Sequence, residues 1–191
     1  MSIENPIAPG QAYVPLKLAG RPLAMKAVVL VLGVAFLTAS SWVQVPMWPV
    51  PMTMQTFAVL MVGALCGWRL GTATVVSWLA LSVAFPLLSE FTTLPMVATT
   101  SGYLAAFVVM AAFVGYMAER GFTARPIPAF LVLLVAEVIC FALGVAYLGA
   151  VIGYDKAVQF GLMPFIVGDL IKTVLVVALL TAFRRTLPAT L

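Results

Sequence analysis

Residues 163–172 of the chain, MPFIVGDLIK, place two charged side chains at the start of its last long apolar segment. Asp169 and Lys172 are three residues apart, so in a helix their side chains project from nearly the same face. Charged groups at membrane depth are costly and face a cavity or a partner rather than lipid. These two residues, which we call the polar pair, predict either an ion pair that only helps helix packing or a ligand-binding site. We favour the second interpretation.

The composition of the whole chain is that of an integral membrane protein. Of its 191 residues, 64% are hydrophobic and 8% are charged, whereas charged residues make up about a quarter of soluble domains. The chain has no histidine, which excludes histidine-based metal ligation and acid–base catalysis. The two cysteines form neither a CxxC motif nor a disulfide framework. The sequence also has no G-x-x-x-x-G-K-[ST] nucleotide loop, and we expect no cofactor.

The apolar segments predict an all-α membrane protein with six transmembrane helices in a single domain, residues 23–185. Polar tails, residues 1–22 and 186–191, flank this domain. About 20 apolar residues are enough to cross the roughly 30 Å hydrocarbon core of a bilayer. The predicted segments are Leu23–Val45, Thr53–Trp68, Leu70–Leu88, Thr100–Met117, Ala129–Val151 and Pro164–Phe183.

Proline and glycine predict how the segments connect. Three prolines in residues 45–51, VPMWPVP, predict an extended loop. Residues 67–71, GWRLG, predict a tight turn, and glycines at 63, 67 and 71 predict close packing of helix backbones. Residues 86–99 are predicted to be a loop, and residues 153–161 a short connection of one or two helical turns.

The basic residues predict the orientation in the membrane, because cytoplasmic loops carry the excess of Lys and Arg. Outside the spans, only Lys156 falls on one side of the six-helix topology. Both termini are therefore predicted to be cytoplasmic, and the polar pair lies in the outer part of the last helix. The basic residues on the cytoplasmic side are Lys17, Arg21, Lys26, Arg69, Arg120, Arg125, Arg184 and Arg185.

Other polar side chains are predicted to reach the same outer surface as the polar pair. They follow the proline-rich loop or open the fourth segment, and they comprise Thr53, Gln55, Thr56, Thr99, Thr100, Ser101 and Tyr103. This convergence predicts a small, polar-headed ligand in a mostly apolar pocket. Trp78 is a candidate for stacking on a ligand ring, although single aromatics near membrane ends are more often interfacial anchors.

Two further features each allow two interpretations. Glu137 lies about ten residues into the fifth segment, near the bilayer midplane at about 1.5 Å per residue. It is either a proton or cation site or a protonated acid that is hydrogen-bonded to a neighbouring helix. Ala35 and Ala39 form a small-residue face on the first segment. That face serves either packing within the bundle or docking onto another membrane protein.

Four motifs in order carry a resemblance to a known family. Residues 50–57, VPMTMQTF, precede Gly67-x-Arg69-x-Gly71; Ser101-Gly102-Tyr103-Leu104 opens the fourth segment; and Pro164-x-x-x-Gly168-Asp169-x-x-Lys172 opens the sixth. From about Ala24 to Phe183, the chain resembles the BioY family. These proteins are the biotin-specific S components of energy-coupling factor (ECF) transporters.

The resemblance implies an S-component-like bundle in the bacterial cytoplasmic membrane that binds biotin with high affinity and mediates its uptake. Asp169 and Lys172 would bind the ureido ring, whose two N–H donors and one carbonyl match a carboxylate and an ammonium group. Thr53 and Gln55 would lie behind a loop that closes over the ligand. Ala35 and Ala39 would meet the transmembrane coupling protein, and separate ATPase subunits would supply energy. The lipid bilayer is the remaining partner, and no nucleic acid is implied.

The chain departs from the family pattern at two places. Residues 90–101 lack a glycine-rich character, and Ser101 stands where a glycine is usual. The same segment has no basic residue to pair with the valerate carboxylate of biotin, for which Lys156 is a candidate.

Other functions remain open on the residues alone. A self-sufficient secondary carrier for biotin or a similar small molecule would use Glu137 as its coupling group. A membrane-embedded enzyme would need a nucleophile with a base or a metal cluster, and the sequence shows only the polar pair. An oligomeric scaffold would leave the polar pair without a role.

Overall fold

The computed structural model describes residue 16 and residues 20–85 and 94–186, and nearly all of them are helical. The helices are α1 (Leu23–Trp42), α2 (Gln55–Ala84), α3 (Leu94–Glu119), α4 (Pro126–Ile152), α5 (Tyr154–Gly161) and α6 (Phe165–Thr186). A 3-10 turn, Phe122–Ala124, separates α3 from α4. The five helices other than α5 are long and apolar enough to cross a membrane. The all-α membrane class is therefore confirmed.

The proline-rich loop after α1 forms a small hairpin. Strands β1 (Gln44–Val45) and β2 (Met52–Thr53) pair antiparallel, with Gln44 opposite Thr53. Pro49 and Val50 lie between the strands, and the carbonyl of Pro49 accepts a hydrogen bond of 2.8 Å from the Thr99 hydroxyl of α3. The loop predicted from the prolines is therefore present, and it is held against the start of α3.

Helix α2 contains two of the predicted segments, joined by a bend at Gly67. This residue has φ 79° and ψ 176°, a conformation that only glycine adopts readily. Two residues eight apart in a straight helix are separated by about 12 Å. In α2, however, a Cβ built on Gly71 would lie 3.2 Å from the Cα of Gly63. The two arms of α2 therefore fold back on each other. The turn predicted over residues 67–71 is formed mainly by Gly67.

Helix α3 packs on this bend through Gly115. A Cβ on Gly115 would overlap the backbone of Gly67 and Trp68. At the end of α3, Glu119 Oε1 accepts a hydrogen bond of 3.1 Å from the backbone N–H of Trp68. A carboxylate at this position caps the start of the second arm of α2 and interacts favourably with its helix dipole.

The loop prediction was wrong for residues 94–99, because α3 begins at Leu94. Pro95 lies in the first turn of the helix, where the missing N–H of proline has no partner to lose. Residues 86–93, which include Glu90, lie outside the described residues, as do residues 1–15, 17–19 and 187–191 of the predicted tails. The connection predicted over residues 153–161 is present as α5.

The helices define two ends of the bundle. At one, which we call the site end, α1 and α4 end and α2, α3 and α6 begin. Hydrogen bonds from Thr99 to Pro49, from Lys172 to Thr53 and from Tyr103 to Gly161 connect these ends. The bend of α2 and the end of α3 lie at the opposite end. Described basic residues at helix ends gather there: Arg21, Lys26, Arg69, Arg120, Arg125 and Arg184. This distribution agrees with the predicted orientation, which itself stays a prediction.

The buried core lies between α2, α3 and α4, and α1 lies at its edge. Leu60, Met110 and Leu133 are fully buried in the middle of the bundle. In α1 only four of the 20 residues are buried, and Ala35 and Ala39 are exposed. The face that the sequence assigned to docking is therefore open.

Replacing Gly115 by alanine is expected to destabilise the bundle, because the added Cβ would overlap the backbone of the α2 bend. Overpacking of this kind costs about 1–3 kcal/mol. Thermal unfolding of the purified protein in detergent would measure the loss. Gly20→Ala is the matched control, since a Cβ at Gly20 meets no atom within 4 Å. Equal unfolding temperatures for the two variants would contradict the packing described for α3.

Candidate ligand-binding site

The polar pair forms a buried ion pair near the start of α6. Lys172 Nζ lies 2.6 Å from Asp169 Oδ1, and the two residues are 6% and 3% exposed. Helical spacing places both side chains on the inner face of α6. The opposite charges compensate each other, which is the condition for keeping either of them at this depth.

Two residues near the start of α2 complete the hydrogen bonding of the pair. Lys172 Nζ donates to the backbone carbonyl of Thr53 at 2.6 Å and to Thr56 Oγ1 at 3.2 Å, in addition to Asp169. An ammonium group has three N–H donors, so all three are in use. Thr56 Oγ1 also donates to Asp169 Oδ1 at 3.0 Å. Both hydrogen bonds from described residues to the Asp169 carboxylate fall on Oδ1, which leaves Oδ2 as an acceptor for a ligand.

A cavity opens beside the polar pair at the site end. It contains about 480 Å³ of empty space, counting the part that is open to the surface. Its polar lining comes from β2, α2, α3 and α6, and its apolar walls come mostly from α3, α4 and α6. The lining residues are Val50, Pro51, Thr53, Gln55, Thr56, Thr100, Tyr103, Leu104, Phe107, Cys140, Phe141, Phe165, Asp169 and Lys172.

Tyr103 connects three helices at the cavity wall. Its hydroxyl donates a hydrogen bond of 2.8 Å to the carbonyl of Gly161, the last residue of α5. Its ring lies against Gly144 of α4, where a Cβ would overlap the ring atoms. The ring is therefore held in one position between α3 and α4.

Gln55 offers a hydrogen-bond donor to the cavity. The residue is 3% exposed, and its Oε1 accepts a hydrogen bond of 3.0 Å from the Thr53 hydroxyl. Among the described residues, its amide Nε2 has no hydrogen-bond partner. A buried N–H group without a partner is costly, so a ligand acceptor at this position would be favourable.

Glu137 lies deeper than the cavity, one helical turn from Cys140 on α4. It is 3% exposed, and neither carboxyl oxygen has a hydrogen-bond partner within residues 16, 20–85 and 94–186. Cys140 lines the cavity together with Asp169 and Lys172, so Glu137 lies about one turn from that lining. The sequence left open a hydrogen bond from Glu137 to a neighbouring helix, and the described structure contains no such bond.

The structure brings together most of the predicted binding residues but not all of them. Asp169, Lys172, Tyr103, Thr53 and Gln55 line one cavity. Ser101 and Trp78 do not line it; Trp78 is fully buried in the core, with its indole N–H unpaired among the described residues. Lys156 is exposed on α5 and does not line the cavity either. The binding roles of these three residues stay predictions.

Sequence reasoning missed most of the apolar walls. Phe141 and Phe165 face each other with ring centroids 6.4 Å apart, in an edge-to-face arrangement. Each is four residues from a charged residue on its own helix, Phe141 from Glu137 and Phe165 from Asp169. Residues four apart share a helix face, so this spacing is the signal that would have found them.

Comparisons with known proteins agree with one another. The BioY family model matches residues 13–189. The chain is similar to the biotin transporter BioY of Thermotoga maritima, with 34% identity over 155 residues that cover 78% of this chain and 89% of the relative. It is also similar to the biotin transporter BioY of Rhizobium etli, with 33% identity over 138 residues, 66% of this chain and 73% of the relative.

The fold matches a solved structure, the S-component for biotin from an ECF-type ABC transporter. The TM-score is 0.74 at 22% sequence identity, and the match covers 87% of this chain and 96% of that chain. The arrangement of helices is therefore that of this S-component.

Lys172→Met is expected to destabilise the unliganded protein, because it leaves Asp169 as a buried carboxylate without its cation. Breaking a buried pair in this way costs about 3–5 kcal/mol. The double variant Asp169→Asn/Lys172→Met removes both charges and is expected to recover most of the loss. Thermal unfolding in detergent compares the three proteins. A double variant that is no more stable than Lys172→Met would mean that the loss does not come from an unpaired Asp169 carboxylate.

Proposed function

The chain belongs to the BioY family, and on that premise we propose that it is the membrane-embedded, biotin-binding S component of an ECF transporter. The observation that carries the proposal is the polar pair, which lies buried at the wall of a cavity at one end of the bundle. A charged pair at membrane depth that borders a cavity is typical of a substrate site.

The polar side chains of the cavity match the ureido ring of biotin, which has two N–H donors and one carbonyl acceptor. Asp169 Oδ2 accepts a ligand N–H, since the hydrogen bonds within the protein fall on Oδ1. Lys172 neutralises Asp169 and fixes its orientation. The unpaired amide N–H of Gln55 is the donor that the cavity offers to the ligand carbonyl. Lys172 can bind that carbonyl only by releasing one of its three present acceptors.

The apolar walls match the rest of the ligand. Leu104, Phe107, Phe141 and Phe165 surround the space beside the polar pair, and burial of ligand carbon against them contributes roughly 25 cal/mol per Å². Among the described residues, Lys172 is the one basic side chain that lines the cavity. The ligand carboxylate therefore lies towards the cavity opening, where Lys156 of α5 stays the candidate partner.

Uptake requires partners that this chain does not contain. The exposed face of α1 with Ala35 and Ala39 is the proposed contact with the transmembrane coupling protein, because small residues let helix backbones approach closely. ATPase subunits supply the energy. The protein lies in the bacterial plasma membrane as a multi-pass protein, with both termini in the cytoplasm and the site end towards the outside.

Asp169→Asn is expected to weaken biotin binding by about 1.5–3 kcal/mol, because ligand N–H groups lose a charged acceptor. Isothermal titration calorimetry of the purified protein in detergent measures the affinity, with thiamine and riboflavin as ligands that should not bind. The control is Asp155→Asn, the same change at an exposed residue of α5. Unchanged affinity in Asp169→Asn would rule out the proposed site, and a parent protein that binds no biotin would rule out the proposed function.

Ala39→Trp is expected to reduce association with the coupling protein and ATPase subunits while biotin affinity is unchanged. The bulky ring would keep the two helix backbones apart, and Ala39 lies on the exposed face of α1 rather than in the cavity. Co-purification with affinity-tagged partners measures association. Val138→Trp on the exposed side of α4 is the control, and equal loss in both variants would contradict docking through α1.

A further inference from the structure

Glu137 is a buried ionisable group that has no role in the proposed binding site. It lies in the middle of α4, is 3% exposed, and has two carboxyl oxygens without hydrogen-bond partners among the described residues. Transferring an ionised carboxylate into such surroundings without a partner is very costly. A group of this kind at membrane depth is a candidate functional site by itself.

The neighbours of Glu137 do not compensate its charge. Cys140, one turn away on α4, lines the cavity together with Tyr103 of α3 and Asp169 and Lys172 of α6, and these four are the ionisable lining residues among the described ones. The three N–H groups of Lys172 are already directed to other acceptors. An ionised Glu137 would therefore add one net negative charge to a group whose other two charges cancel.

We propose that Glu137 is a proton-binding site whose occupancy is linked to that of the ligand cavity. The proton comes from the solvent and binds a carboxylate oxygen of Glu137, which makes the buried cluster electrically neutral. This inference rests on the proposed function, because it requires a ligand that binds beside Asp169 and Lys172.

Ligand binding is expected to disfavour the ionised form of Glu137 for two reasons. Biotin carries a carboxylate, so binding adds a negative charge on the open side of the cavity that contains the polar pair. It also displaces water from the cavity, which lowers the local dielectric and so disfavours the charged form of a nearby buried carboxylate. Both effects make an ionised Glu137 less favourable when the ligand is bound.

Proton binding to Glu137 and ligand binding to the cavity therefore favour each other. Where Glu137 is partly ionised in the free protein, binding takes up protons, so affinity falls as pH rises. One linked proton gives a decrease of at most about tenfold in affinity per pH unit. The carboxyl group of the ligand does not contribute above pH 6, because such groups titrate near about pH 4.

The test is biotin affinity from about pH 6 to 9, measured by calorimetry on the parent protein, Glu137→Gln and Asp155→Asn. The parent and Asp155→Asn are expected to lose affinity as pH rises. Glu137→Gln, which resembles the neutral acid, is expected to keep the low-pH affinity at every pH. Asp169 and Lys172 are present in all three proteins, so any contribution of theirs to the pH dependence remains in Glu137→Gln.

Calorimetry of the parent in two buffers of different ionisation enthalpy counts the protons directly and does not depend on the folding of a variant. Net proton uptake that is absent in Glu137→Gln supports the proposal. A parent affinity that does not depend on pH, or an equal pH dependence in Glu137→Gln, overturns it. An affinity that depends on sodium concentration instead of pH would also overturn it, since the site would then bind Na⁺. A parent that binds no biotin at any pH overturns the proposed function as well.

Discussion

The hydrogen bonds of Lys172 are the interactions on which the arrangement of the site depends. One ammonium group joins Asp169 of its own helix to the Thr53 carbonyl and the Thr56 hydroxyl at the start of α2. The last helix is thereby fixed to the hairpin that follows α1. Because Lys172 cannot remain charged at this depth without such partners, the pair and the α2 residues must be in place together, and the cavity forms between them.

Glycines allow the helices to approach closely enough to enclose that cavity. The bend at Gly67 folds α2 on itself, and Gly115 lets α3 pack on the bend. Near the cavity, Gly144 leaves room for the Tyr103 ring, whose hydroxyl reaches α5. In a membrane the lipid chains are as apolar as the helix surfaces, so close van der Waals packing replaces hydrophobic burial as the main force between helices.

Two kinds of ionisable group lie in or near the cavity. Asp169 and Lys172 neutralise each other and provide directional hydrogen bonding for a ligand, whereas Glu137 lies deeper and is unpaired among the described residues. A buried acid without a partner destabilises the fold, so packing does not account for Glu137. Coupling between its protonation and ligand binding would give it a function. The membrane bundle would then respond to the proton concentration as well as to the ligand.

The sequence alone determined the membrane class, the apolar segments and the positions of Asp169, Lys172 and Glu137, because segment length and buried charge are properties of the chain itself. It also indicated the BioY family through four motifs. Only the tertiary structure decided that Thr56 bridges the polar pair, that Phe141 and Phe165 form cavity walls, and that Trp78 lies in the core. These assignments depend on the rotation of each helix about its axis. In segments that are apolar on every face, hydrophobic periodicity does not encode that rotation, so contacts between helices set it.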